Sequence, residues 1–176
     1  MKRTIITTVC LLFLTLTAAS QDLVGIWTTG EQYDEKEKSI QTIYYVFGDN
    51  GQATAILTNR YADDNPLLSR IGDLRIYTEM QGHYYVEGGK GLTVNFDRST
   101  AKVSNNYIPK EGLDAQTVST MKARLDQVFA QQKDMIVALM PLSLLAQIVY
   151  FNGNCMSLRV YQSDIRYYTR VENIKK

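Results

Sequence analysis

The chain has 176 residues, 45% hydrophobic and 21% charged, with a formal net charge of +1. That length suits one domain with a core of its own. The hydrophobic content excludes a disordered chain, and the near-neutral charge offers no broad basic face for nucleic acid. Twelve tyrosines are the one unusual number.

Lys2 and Arg3 precede an apolar run from Ile5 to Leu16, and Ala18, Ala19 and Ser20 follow it, which is the layout of a signal peptide. The expected cut lies after Ser20, before Gln21, with cleavage after Ala19 as the alternative. The run is too short to span a bilayer as a helix. Residues 1–20 therefore read as a signal peptide and 21–176 as a single domain, exported to the periplasm or secreted. Loss of Lys2 and Arg3 turns a slight excess of base into a slight excess of acid. Loss of Cys10 leaves Cys155 without a disulfide partner. Cys155 precedes the alternating Met156, Leu158 and Val160, which predicts a buried thiol at the start of a strand.

Beyond the cut, the pattern is mostly of period two with glycine-rich punctuation, as in antiparallel β-structure. Gly25 to Thr29 open it. Ile40 to Phe47 and Gln52 to Thr58 flank Gly48-Asp49-Asn50-Gly51, a hairpin whose Asn-Gly offers positive-φ positions. His83 to Glu87 and Leu92 to Phe96 form a second hairpin around Gly88 to Gly91. Met156 to Tyr161 and Ile165 to Val171 form a third, and Leu74 to Thr78 and Ala101 to Asn105 supply further strand material. These elements predict a mainly β fold, an antiparallel up-and-down barrel of about seven or eight strands. One segment, about 114–150, departs from the pattern before the last two strands. Val118, Met121, Leu125, Val128 and Phe129 recur at helical spacing behind Asp114, a candidate N-cap, predicting a helix that ends near Gln132. The apolar run 135–151, broken by Pro141, predicts a second short helix from about Leu142 to Tyr150. It reads as a lid or plug on the barrel and not as a membrane span.

Gly25-Ile26-Trp27, shortly after the signal cut and opening a meander of hairpins that ends in Arg170-Val171, resembles the lipocalin-like small barrels exported by Bacteroidetes-type bacteria. The resemblance implies that Trp27 packs across the closed end of the barrel, that Gly25 lets the backbone pass close, and that Arg170 stacks on the indole. Arg166, of the same strand parity, is the alternative to Arg170. The helical insertion has no counterpart in lipocalins at this place, and it could fill the cavity that would otherwise hold a ligand.

Tyr44-Tyr45, Tyr84-Tyr85 and Tyr167-Tyr168 fall in predicted strands, so each pair sends one ring to each face. Apolar parity, Ile165 with Tyr167 and Val171, Ile43 with Tyr45 and Phe47, assigns Tyr45, Tyr167 and Tyr85 to the interior, although Val86 argues against Tyr85. With Phe96 and Leu158 these form a candidate lining for a small hydrophobic or amphipathic molecule. The bland alternative is ordinary core and girdle packing.

Catalytic signals are sparse. His83 is the single histidine, no G-x-S-x-G stretch presents a nucleophile, and His83 with Cys155 is too small a set for a soft-metal site. Asp63-Asp64 and Glu31, Asp34, Glu35 and Glu37 lack the spacing of a calcium loop and read as solvated charge. The expected function is thus non-catalytic, without metal or cofactor: a barrel that binds a small apolar or amphipathic ligand. The alternative is a structural barrel with a packed interior that docks a partner protein or a membrane surface through residues 135–151. A hydrolase or isomerase built on loop carboxylates and tyrosine is the remaining class.

Overall fold

In a computed structural model, residues 23–160 and 165–174 are described. The signal-peptide assignment, Cys10 and the β-turn expected at residues 162–164 lie outside them. Ten strands form one antiparallel sheet: β1 (Gly25–Thr28), β2 (Gln32–Asp34), β3 (Ser39–Phe47), β4 (Gln52–Tyr61), β5 (Gly72–Glu87), β6 (Gly91–Phe96), β7 (Lys102–Pro109), β8 (Ser143–Phe151), β9 (Cys155–Val160) and β10 (Ile165–Val171). A short helix, α1 (Pro66–Ile71), joins β4 to β5, and a long one, α2 (Ala115–Ala138), joins β7 to β8. Strand β1 pairs with both β10 and β3, which closes β1, β3, β4, β5, β6, β8, β9 and β10 into an eight-stranded barrel.

Each hairpin read from the sequence is present. Gly48 and Gln52 close the β3–β4 turn with a 2.9 Å backbone bond, and Gly51 carries its left-handed conformation at φ +76°. Of the Asn-Gly pair only the glycine has a positive φ. The β5–β6 turn pairs Val86 with Leu92 and Glu87 with Gly91, and β9 pairs with β10. The two stretches expected at 74–78 and 83–87 are a single 16-residue strand. Its second half pairs with β6 and its first half with β7. On the other flank, β1 takes Tyr44–Phe47 of β3 while β2 takes Ser39–Gln41. The middle strands β3, β4 and β5 thereby run past the barrel wall into a sheet edged by β2 and β7.

The insertion differs from expectation in two ways. Helix α2 begins as read, with the Asp114 carboxylate accepting from the Thr117 amide at 2.8 Å, but it continues past Gln132 to Ala138. The expected helix from Leu142 to Tyr150 is instead strand β8, because Leu144, Ala146 and Ile148 alternate toward the barrel core and β8 supplies the link between β6 and β9 that closure requires. Val137 in the last turn of α2 and Met140 just beyond it are buried in the core. The body of the helix lies along β7, where the Tyr107 hydroxyl donates to the Ile71 carbonyl at 2.6 Å and touches Met121 Sδ at 3.2 Å. The insertion therefore flanks the barrel and adds two side chains to its core. Cys155, expected to be buried, is exposed: the inward positions of β9 are Met156 and Leu158, and alternation turns Cys155 outward.

Candidate functional site

The barrel interior has two ends of different character. At one, Trp27 is fully buried and donates from Nε1 to the Leu23 carbonyl at 2.8 Å. Arg170, opposite Trp27 in the β1–β10 register, lays its guanidinium 5.9 Å from the indole centroid. Its Nη2 donates to the Val24 carbonyl and its Nη1 to the Gly153 carbonyl at 3.3 Å. Gly25, at φ +141°, leaves room for that guanidinium. Phe151 packs against the indole from β8's end at 5.6 Å. Of the two arginines on this face of β10, it is Arg170 that lies over the Trp27 indole.

Above this plug lies a layer of aromatic rings. Tyr45 stacks on Phe47 at 6.4 Å and on Phe96 at 6.1 Å, and meets Tyr168 at 6.0 Å; Phe47 in turn meets Tyr84 at 4.7 Å. Such pairs add about 0.5–1.5 kcal/mol each beyond area burial. Leu158 is fully buried in the same cluster. Tyr45, Phe96 and Leu158 are therefore interior as expected, and Phe96 and Leu158 are part of the packed core behind the Tyr45 ring.

Two of the expected lining residues are corrected. Tyr85 and Tyr167 are 49% and 74% exposed, and their neighbours Tyr84 and Tyr168 point inward. Tyr84 also donates to the Gly48 carbonyl at 2.9 Å across the β3–β4 turn. In β10 the inward row is Arg166, Tyr168 and Arg170, which apolar parity had sent outside. An inward-facing row crosses from plug to opening, and a cation is tolerated at either end where it reaches carbonyls or water. Only the middle member, Tyr168, had to be apolar.

The opposite end of the barrel is open. Strand β1 is only four residues long, so beyond Thr28 the edges of β3 and β10 part. A cleft of about 480 Å³ enters there, lined by Thr29, Gln32, Ile43, Tyr45, Arg166, Tyr167 and Tyr168. Its floor is the Tyr45 and Tyr168 rings, its cation is Arg166, and Tyr167 stands at its rim. Burial pushes the phenols of Tyr45 and Tyr168 above their ordinary range, and the Arg166 charge beside them opposes that rise. Both hydroxyls stay protonated and able to donate at any physiological pH. No acidic side chain lines this cleft among the described residues. Sequence reasoning missed Arg166 and Tyr168 because it weighed only apolar parity.

The remaining candidates do not converge on chemistry. His83 is exposed on β5 between Gln52 and Asn95 of the neighbouring strands. Among the loop carboxylates, Asp64 is held by Lys38 Nζ at 2.8 Å and by the Tyr33 hydroxyl at 2.9 Å, which keeps it below the ordinary carboxylate range. Glu31 lies 3.6 Å from Arg60.

No protein-family model matches the chain, and no curated protein does. Among solved structures, the chain is similar to a lipocalin-like protein from Bacteroides uniformis ATCC 8492, with 13% sequence identity and a TM-score of 0.41 over 85% of this chain and 99% of that one.

Proposed function

We propose that the protein is a non-catalytic, lipocalin-like binding barrel, exported by its N-terminal signal, that takes a small amphipathic molecule with an anionic head at the open end of the barrel. The observation that supports this reading is the pairing of Arg166 with the buried Tyr45 and Tyr168 phenols in a cleft that no carboxylate lines among the described residues. A carboxylate or sulfate head would accept from the guanidinium and from both hydroxyls, each a charge-assisted bond. The ligand's apolar part would rest on Ile43 and the tyrosine faces. Deeper entry is opposed by the aromatic layer under Tyr45, so the reading is of a mouth site and not of a chain threaded through the barrel.

Titration calorimetry with medium-chain fatty acids and the matching alcohols tests it. The acids should bind and the alcohols should bind more weakly. Arg166→Gln should weaken the acids by about ten- to a hundredfold, the worth of one hydrogen-bonded charge, while leaving the alcohols unchanged. Equal binding of acid and alcohol, or none of either, overturns the reading.

A second reading, a barrel that docks a partner, is favoured by one observation. Met135 near the end of α2, Leu139 and Leu142 in the link after it, and Leu145 and Val149 on β8 are all exposed, and exposed apolar side chains gathered in one segment are of the kind that marks contact surfaces.

A further inference from the structure

On the outer face of the sheet that runs past the barrel, the register sets side chains in rows. Ile40, Arg60 and Arg75 stand side by side on β3, β4 and β5, and Thr42, Thr58 and Tyr77 form the next row. Tyr44 follows on β3. These seven side chains, with Glu31 reaching over from the segment between β1 and β2, line a second cleft of about 390 Å³. It lies on the opposite face of the sheet from the barrel interior. Although they face away from the core, Tyr44 and Thr42 are only 4% and 6% exposed, so the cleft is concave and not a flat wall.

Its chemistry is unlike that of the barrel mouth. Arg60 and Arg75 are directly opposed across two strands, an arrangement that repels unless negative charge is placed between or beside the guanidiniums. Arg75 Nε is held by Asp73 at 2.7 Å. Arg60 is held more loosely, its Nη2 lying 3.6 Å from Glu31 and its Nη1 3.9 Å from the almost fully exposed Asp63 and donating to the Tyr61 carbonyl at 3.3 Å. Loose, part-solvated ion pairs of this kind contribute little and are readily exchanged for a better-placed anion. Below the two cations stand four hydroxyls, from Thr42, Tyr44, Thr58 and Tyr77, two of them on aromatic rings.

We infer that this cleft is a binding site for an acidic sugar, with the carboxylate or sulfate group between Arg60 and Arg75 and the ring hydroxyls facing Thr42, Thr58 and Glu31. The planar guanidinium matches an oxyanion in two-point contact, the half-buried Tyr77 offers a ring edge with a polar tip, and Glu31 accepts from a sugar hydroxyl. The volume suits one or two sugar units and is too polar for an acyl chain.

Glucuronate, glucose and inorganic sulfate, titrated separately into the full chain and followed by NMR shifts of Tyr44, Thr58 and Tyr77, decide the matter. Glucuronate should bind at least tenfold more tightly than glucose or sulfate. Arg60→Gln should abolish that preference, and Thr58→Val should weaken glucuronate severalfold, with thermal melts showing both variants folded. Arg166→Gln should leave glucuronate binding unchanged, so this site and the barrel mouth fail or succeed separately. Sulfate binding as tightly as glucuronate, no saturable shifts at these residues, or an unaltered preference in Arg60→Gln overturns the assignment.

Discussion

Arg170 and Gly25 share one space at the closed end of the barrel: a Cβ on residue 25 would stand 2.6 Å from Arg170 Nε and 2.9 Å from its Nη2. Residue 25 also sits at φ +141°, a conformation L side chains rarely adopt. Gly25→Ala therefore adds backbone strain and pushes the guanidinium off the indole. The expected cost is about 1–3 kcal/mol, a substantial part of the usual 5–15 kcal/mol of a domain. Urea unfolding should show a lower midpoint with an unchanged slope. An unaltered midpoint would mean that Arg170 does not depend on the glycine.

Tyr167 and Tyr168 are adjacent and chemically identical, yet their surroundings are opposite. Tyr168 is 2% exposed and meets Tyr45, whereas Tyr167 is 74% exposed. Truncating Tyr168 to Ala leaves a ring-sized hole in the core, for which about 3–5 kcal/mol is expected. Tyr167→Ala should stay within about 0.5 kcal/mol of the parent. Comparing the two variants by thermal unfolding checks the parity of β10, and a reversed order would return Tyr167 to the interior.

These same residues show how far the sequence could be read. The hairpins were legible because Gly51 and the Gly88–Gly91 run mark turns by local backbone chemistry. Trp27 and Arg170 could be singled out only through the resemblance carried by Gly25-Ile26-Trp27, because strand parity alone does not choose between Arg166 and Arg170. The inward row Arg166, Tyr168 and Arg170 was not legible, because hydrophobic alternation assumes an interior that is apolar from end to end. In this barrel the row instead runs from a cation at the mouth to a cation on the plug. Strand β8 was missed for a related reason. Its buried Leu144 and half-buried Ala146 are interleaved with exposed Leu145 and Val149, so the alternation is hidden in a uniformly apolar run. The grid of Arg60, Arg75, Thr58 and Tyr77 depends on cross-strand register, which no single segment encodes.

Gly82 lies where β5 passes from β7 to β6 as its partner. A Cβ there would collide with the Asn95 carbonyl and come within 2.8 Å of Phe96 Cα. Since the obstacle is backbone, it cannot step aside as a side chain can. Gly82→Ala should force β5 and β6 apart, destabilise the protein by about 2 kcal/mol or more, and speed amide exchange at Tyr84, Val94 and Phe96 relative to the rest of the barrel. Uniform exchange across all strands would argue that the sheet absorbs the methyl elsewhere.

Ionisation of the buried phenols is expected to weaken the fold at alkaline pH. Burial raises Tyr45 and Tyr168 above the ordinary value of 10.0, so the neutral form is favoured in the folded state. Below about pH 10 both states hold the proton and the contribution to stability is complete. Above it the unfolded chain ionises first, and the stability is lost as pH rises through the folded values. Each such tyrosine steepens the fall by at most about 1.4 kcal/mol per pH unit. Urea unfolding repeated between about pH 9 and 12 should show a flat region followed by a decline. The decline should be shallower in Tyr45→Phe and in Tyr168→Phe than in the parent, and tyrosinate absorbance from these rings should appear only with unfolding. A decline of equal steepness in the parent and both variants would place the alkaline sensitivity in other groups.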